Sequence, residues 1–174
     1  MTPFSKEDLF VAKLTEYLAL SFGVKPNTAR LISDAATLHD VGKICVAEHI
    51  LFKRGRLSPK EFEVMKNHTI LGERILSLSP NLCGDLKVYA TNISALHHEK
   101  WDGTGYWGCK GGEFPYYCQM VSVCDVYCAL TSPARLYKSP WAPRDALDYI
   151  VSESGKSFCP DIVSAFRTLF VQAV

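Results

Sequence analysis

A chain of 174 residues with 48% hydrophobic content carries enough apolar material for a continuous core, and residues 1–174 read as one domain. A formal charge of +1 excludes the global field that would draw in a nucleic-acid polymer or an anionic membrane, so an anionic ligand has to be met by a local cluster. No apolar run approaches the roughly 20 residues that span a bilayer, no N-terminal stretch has the order of a signal peptide, and the seven cysteines form no CxxC pair. Buried reduced thiols and a cytoplasmic location are the expectation.

The predicted elements are all helical. Ser5 with Asp8 three residues later resembles a capping box, and Leu9, Leu14, Tyr17, Leu18 and Phe22 then recur at helical spacing up to Gly23. Pro26 opens a second helix whose apolar face is Leu31, Ile32, Ala35, Ala36 and Leu38, with Gly42 at its exit. This puts His39-Asp40-Val41-Gly42-Lys43 at a helix C-terminus. Ser58, Pro59 and Glu61 start a third helix running to about Asn67, and an apolar run from Ile70 to Leu78 follows His68. From Asp85 to His98 the positions Leu86, Val88, Tyr89, Ile93 and Leu96 again follow a helix, with His97 and His98 at its end. Five glycines between Lys100 and Pro115 require a loop, one too long to be only a connector. Helices at about Tyr117–Leu130, Pro143–Ser154 and Pro160–Val171 close the chain.

Four of the five histidines, His39, His68, His97 and His98, fall at or near helix ends, while His49 reads as an ordinary surface or core group. Asp125 sits in the otherwise apolar run that begins Met120-Val121-Ser122-Val123-Cys124, where an unpaired carboxylate costs several kcal/mol and so needs a metal or a cation. Imidazole and carboxylate together suit iron, manganese, zinc or nickel better than magnesium. Adjacent histidines at a fraying helix end can converge on neighbouring metals, and Asp40 can bridge two ions as in phosphate-ester hydrolysis. Lys43 either meets a phosphate oxygen or only faces the helix dipole; spacing does not choose.

The string His39-Asp40-Val41-Gly42-Lys43, then His68, then His97 through Tyr106, then Asp125 through Ser132 and Arg135-Leu136-Tyr137-Lys138, resembles the HD-GYP family, a branch of the HD phosphohydrolase superfamily, over roughly residues 10 to 170. The resemblance implies an all-α HD-superfamily bundle with a glycine-rich GYP-type loop, and hydrolysis of cyclic dinucleotides, typically cyclic di-GMP, to a linear dinucleotide or GMP. It implies metal ligation by His39, Asp40, His68, His97, His98 and Asp125, with two divalent transition-metal ions as cofactors, iron or manganese ahead of zinc or nickel. Lys43 and Asp40 take catalytic roles, Tyr106 lines the substrate loop, and Arg135 and Lys138 meet the phosphates and guanines. A cyclic dinucleotide is the implied small-molecule partner, with a diguanylate cyclase or another signalling protein, and a second copy of the chain, as candidate protein partners.

The chain departs from the family pattern in three places. Trp107 replaces the proline of Gly-Tyr-Pro, and Leu136 replaces the proline after Arg135. Aligning Lys13, Leu14 and Tyr17 with the family's first helix puts Phe10 and Lys6 where a histidine and, four residues earlier, a glutamate are usual. Glu7, Asp8 or water are the candidates to fill that gap. Three readings result: an active phosphodiesterase, a catalytically degenerate module that binds cyclic di-GMP or a signalling partner, and an HD hydrolase acting on another phosphate ester.

Overall fold

A computed structural model describes residues 5–133 and 139–171. They form the helices α1 (Lys6–Ser21), α2 (Pro26–Ala36), α3 (Glu48–Leu51), α4 (Pro59–Lys66), α5 (His68–Leu78), α6 (Gly84–Leu96), α7 (Tyr116–Thr131), α8 (Pro143–Ser152) and α9 (Pro160–Val171), with a 3-10 turn at Val41–Cys45. The only β feature among the described residues is an isolated bridge between Ser154 and Phe158. No helix among them is long and apolar enough to cross a membrane.

The helix starts follow from local chemistry. At α1 the Asp8 N–H donates to Ser5 Oγ at 3.0 Å and the Ser5 N–H donates back to Asp8 Oδ2 at 2.9 Å; Ser58 and Glu61 repeat this box at α4. Proline opens α2, α4 and α8, where the first turn needs no N–H donor. Gly23, at φ +90°, turns the chain out of α1 in a conformation that L side chains rarely adopt.

Every residue of α7 from Tyr117 to Cys124 is buried, as expected of a helix that is apolar all round. It forms the axis of the core, with α1, α6, α8 and α9 packed around it, and α2 and α5 completing the layer against α1 and α6. The face that α1 buries keeps Leu18, with Leu14 packed at its edge, but not the rest of the stripe expected from its sequence. Leu9, Tyr17 and Phe22 are exposed, and Val11, Ala12, Thr15, Leu18 and Ala19 make the contact. Apolar residues surround this helix, so period alone cannot select the buried side, and small Ala12 and Ala19 allow close approach to α2. Val88 on α6 is likewise exposed. Cys118, Cys124, Cys128 and Cys159 are buried free thiols as expected, whereas Cys45 and Cys83 lie at the surface, on short connecting segments with no core to enter.

Candidate metal centre

Three chain breaks build the site. After α2 ends at Ala36 the backbone tightens into i→i+3 bonds, with His39 N–H on Ala36 O at 3.2 Å and Val41 N–H on Leu38 O at 3.1 Å, and this winding presents His39 and Asp40. A break at Asn67 between α4 and α5 makes His68 the first residue of α5. At the end of α6, His97 is the C-cap (φ −66°, ψ −14°) and His98 follows it. Ser94 Oγ donates to His39 O at 3.1 Å and ties α6 to the turn.

The imidazoles are oriented by their outer nitrogens. His39 Nδ1 lies 2.8 Å from Ala36 O, His68 Nδ1 2.7 Å from Met65 O, and His97 Nδ1 3.0 Å from Ile93 O. A carbonyl only accepts, so Nδ1 must carry the proton and, in each neutral ring, Nε2 presents a lone pair. Those lone pairs converge on Asp40: His68 Nε2 is 3.3 Å and His97 Nε2 3.7 Å from Oδ1, and His39 Nε2 is 3.4 Å from Oδ2. Asp40 Oδ1, His68 Nε2 and His97 Nε2 are buried without any hydrogen-bond partner. Acceptors facing acceptors in a buried site need a positive charge between them. Ligand atoms of Asp40, His68, His97 and His98 all lie within 4.8 Å of one another, so this donor set fits a divalent cation.

Protons alone do not resolve the conflict. Burial opposes the charge on His39, but bonding and attraction to Asp40, with Asp125 adding, push it up to about 9. Burial drives His97 down in spite of Asp40, and burial with repulsion from His97 and His68 drives His98 down. Burial also opposes ionisation of Asp40, yet the imidazoles of His39, His68 and His97 hold its carboxyl well below the ordinary range. His97 and His98 thus resist protonation, the condition in which a metal binds them without first displacing a proton, whereas His39 favours it.

The HD domain family model matches residues 2–162. The chain belongs to the HD domain family. Curated HD relatives include the cyclic di-GMP phosphodiesterase of Thermotoga maritima, 41% identical over 160 residues that are 91% of this chain and 42% of the relative. The 3'3'-cGAMP-specific phosphodiesterase 2 of Vibrio cholerae serotype O1 is 36% identical over 88% of this chain and 29% of its own length. The chain therefore spans less than half of the curated relatives it matches. The HDG"Y"P protein Bd1817 from Bdellovibrio bacteriovorus shares the fold, with a TM-score of 0.73 over 95% of this chain and 51% of that one at 18% identity. The resemblance to the HD-GYP branch and the all-α bundle are both borne out.

On this HD framework the residues singled out in the sequence fall as follows. His97 and His98 serve one cluster rather than two neighbouring ones, their ring centroids 4.0 Å apart. Asp125 stands outside that cluster and approaches from α7, its Oδ1 3.8 Å from His39 Nε2. Lys43 pairs with Asp40 Oδ2 across the 3-10 turn, so it belongs to the centre and not to a helix dipole. Although burial disfavours its charge, attraction to Asp40 and then to Asp125 and Asp8 holds the ammonium above its usual pKa. The Tyr106 ring lies 4.6 Å from that of His98; burial, then Asp40 and Asp125, push its phenol up to about 12, which keeps it a neutral donor. His49 is exposed. Arg135 and Lys138 lie outside the described residues.

The gap expected on α1 is not filled from Phe10 or Lys6. Phe10 is 53% exposed and Lys6 is exposed, so neither position faces the centre. Asp8 does: one of its oxygens lies within 4.8 Å of ligand atoms of both His39 and Asp40.

Glu99 is the residue that sequence reasoning missed. It is 2% exposed and accepts the Trp107 N–H at 2.7 Å and the Cys109 N–H at 2.9 Å, which fixes the glycine-rich loop beside Tyr106. The available signal was an accounting one: a tight loop of glycines has backbone donors that something must accept. Trp107 contributes a second tie, its Nε1 donating to Thr69 Oγ1 at 2.9 Å. Gly105 passes so close to Glu99 that a Cβ there would lie 2.6 Å from Glu99 Cα.

Proposed function

We propose that this chain is a metal-dependent phosphodiesterase acting on cyclic dinucleotides, with cyclic di-GMP the first substrate to test. In this reading His39, Asp40, His68, His97, His98 and Asp125 hold two divalent ions, iron or manganese ahead of zinc or nickel. The observation that carries it is the convergence of partnerless buried acceptors on Asp40. When bound, the ions supply Lewis acidity, making a water more acidic and neutralising charge on a phosphate.

The chain's own groups do the rest. Lys43, charged and held at Asp40, is placed to meet an equatorial phosphate oxygen as negative charge develops there. Tyr106, neutral at working pH, can donate its phenolic proton to an anionic oxygen on the His98 side. Beyond these two rings a pocket of about 390 Å³ is lined by Phe62, Lys66, Lys100, Tyr106, Tyr149 and Phe158 among others, a size and aromatic character suited to a nucleobase with a nearby phosphate. Arg135 and Lys138 are assigned to the phosphates and guanines. Hydrolysis exchanges one P–O ester bond for a P–OH group and opens the ring; a second cut yields mononucleotides.

Two relatives whose names specify cyclic di-GMP and cyclic GMP-AMP bracket the substrate class. The alternative of a binding module without catalysis rests on Phe10 and Lys6, and the approach of Asp8 to His39 and Asp40 favours the catalytic reading. Cyclic di-GMP is incubated with anaerobically reconstituted Fe²⁺ or Mn²⁺ protein and products are separated by chromatography. Turnover by the wild type and its loss in Asp40→Ala is the expected result. An ion-loaded protein that leaves cyclic di-GMP and cyclic GMP-AMP intact overturns the assignment.

A further inference from the structure

We infer that Asp8 is a metal ligand, and that it makes the centre chemically asymmetric: an oxygen-rich half, from Asp8, Asp125 and His39, takes a hard divalent cation such as Mn²⁺ beside an imidazole-rich half from His68, His97 and His98, with Asp40 shared. The inference rests on the metal-dependent reading above and adds to it a ligand and a division of labour.

Three observations support it. First, ligand atoms of Asp8, His39 and Asp40 lie within 4.8 Å of one another, a second group distinct from the one around His68. Second, a cleft of about 150 Å³ is lined by Glu7, Asp8, His39, Asp40, Lys43 and Asp125, so that four carboxylates face one ammonium and one imidazole. Third, His39 is a buried ring whose Nε2, opposite the Nδ1 held at Ala36 O, faces Asp40 Oδ2 at 3.4 Å and Asp125 Oδ1 at 3.8 Å, while Asp40 Oδ1, buried and partnerless, faces the imidazole-rich half 3.3 Å from His68 Nε2.

The cap of α1 also prepares Asp8 for the task. The Ser5 N–H holds Oδ2, and Ser5 Oγ holds the Asp8 backbone N–H, which fixes the carboxylate and leaves its second oxygen for a cation. Glu7, the other acidic candidate on this turn, is engaged instead by the hydroxyl of Ser132. Oxygen donors favour manganese over the softer ions that imidazoles prefer, so the two halves differ in which metal they hold best.

The full chain is stripped with chelator and titrated with Mn²⁺, reading free Mn²⁺ by electron paramagnetic resonance and ion content by plasma emission, with folding followed by circular dichroism. The wild type is expected to take up about two ions. Asp8→Asn, which keeps an oxygen for the Ser5 N–H, is expected to bind the second Mn²⁺ at least about 10-fold more weakly, the lower bound for losing even an outer-shell partner, while retaining one ion. Asp8→His is expected to restore two ions with the preference moved from Mn²⁺ towards Zn²⁺. Ser58→Ala, which removes the equivalent cap at α4 and leaves Asp8 untouched, should keep both ions. Two Mn²⁺ bound by Asp8→Asn with wild-type affinity overturns the Asp8 assignment alone. A wild type that takes up no ion overturns the metal-dependent reading and this inference together.

Discussion

The backbones of Gly42 and Gly72 approach so closely that neither position admits a side chain. A Cβ on Gly42 would lie 1.9 Å from His68 O and 2.5 Å from Gly72 N, and one on Gly72 would lie 2.2 Å from Ser94 Oγ and 3.1 Å from Gly42 N. This contact seats the 3-10 turn on α5 and brings Asp40 to within 3.3 Å of His68. Gly42 is not among the glycines with positive φ, so close approach, and not turn conformation, is what requires it.

Gly42→Ala should accordingly damage both stability and the centre. Forcing a methyl into this crossing costs about 1–3 kcal/mol by the usual penalty for overpacking and should separate Asp40 from His68. Urea unfolding reads the first effect and metal titration the second. A variant with an unchanged unfolding midpoint and unchanged metal affinity contradicts this account.

Glu99→Gln tests the buried anchor of the glycine-rich loop. An amide retains one acceptor oxygen and turns an NH₂ group towards a backbone donor, so at least one charge-assisted bond is lost, worth about 1.5–3 kcal/mol. The expected outcome is a lower melting temperature and faster proteolytic cleavage between Lys100 and Pro115. Equal cleavage rates in variant and wild type would show that the loop is held by other means.

Trp107→Pro would restore the family's proline and should nevertheless destabilise this chain. Proline has no N–H for Glu99 Oε1, and the indole bond to Thr69 and the contact with Lys66, 5.8 Å from the Trp107 ring, go with it. A fall in stability of about 1–3 kcal/mol follows from one buried carboxylate oxygen losing its partner. Thermal unfolding of metal-free protein isolates this effect from ligand binding, and an unchanged or raised melting temperature would argue against it.

Divalent ions should stabilise the wild type and not Asp40→Asn. A ligand that binds only the folded state adds about 2.7 kcal/mol at 100 times its dissociation constant. Melting curves with Mn²⁺ against chelator give the comparison: a rise for the wild type, and little or none once the shared carboxylate is removed. An equal rise in both would place the binding elsewhere.

The sequence by itself determined most of the elements, α3 and the 3-10 turn excepted, and singled out the residues that the structure gathers around Asp40, because those signals are local. Capping boxes at Ser5 and Ser58, prolines at helix starts and the glycine run after Lys100 act within a few residues, so the helix bounds came out close to those observed. The His-Asp and His-His pairs were legible because such residues rarely gather at helix ends without a ligand. Tertiary structure alone decided which face of α1 meets the core. Apolar residues lie on every side of that helix, and only its packing against α2 and α7 leaves Phe10 exposed and Asp8 half-buried beside His39 and Asp40. Glu99 and the Gly42–Gly72 crossing were hidden for the same reason. Their roles are set by partners brought near by the packing of the turn, α5, α6 and the loop, and nothing in the spacing of one segment encodes the distance to another.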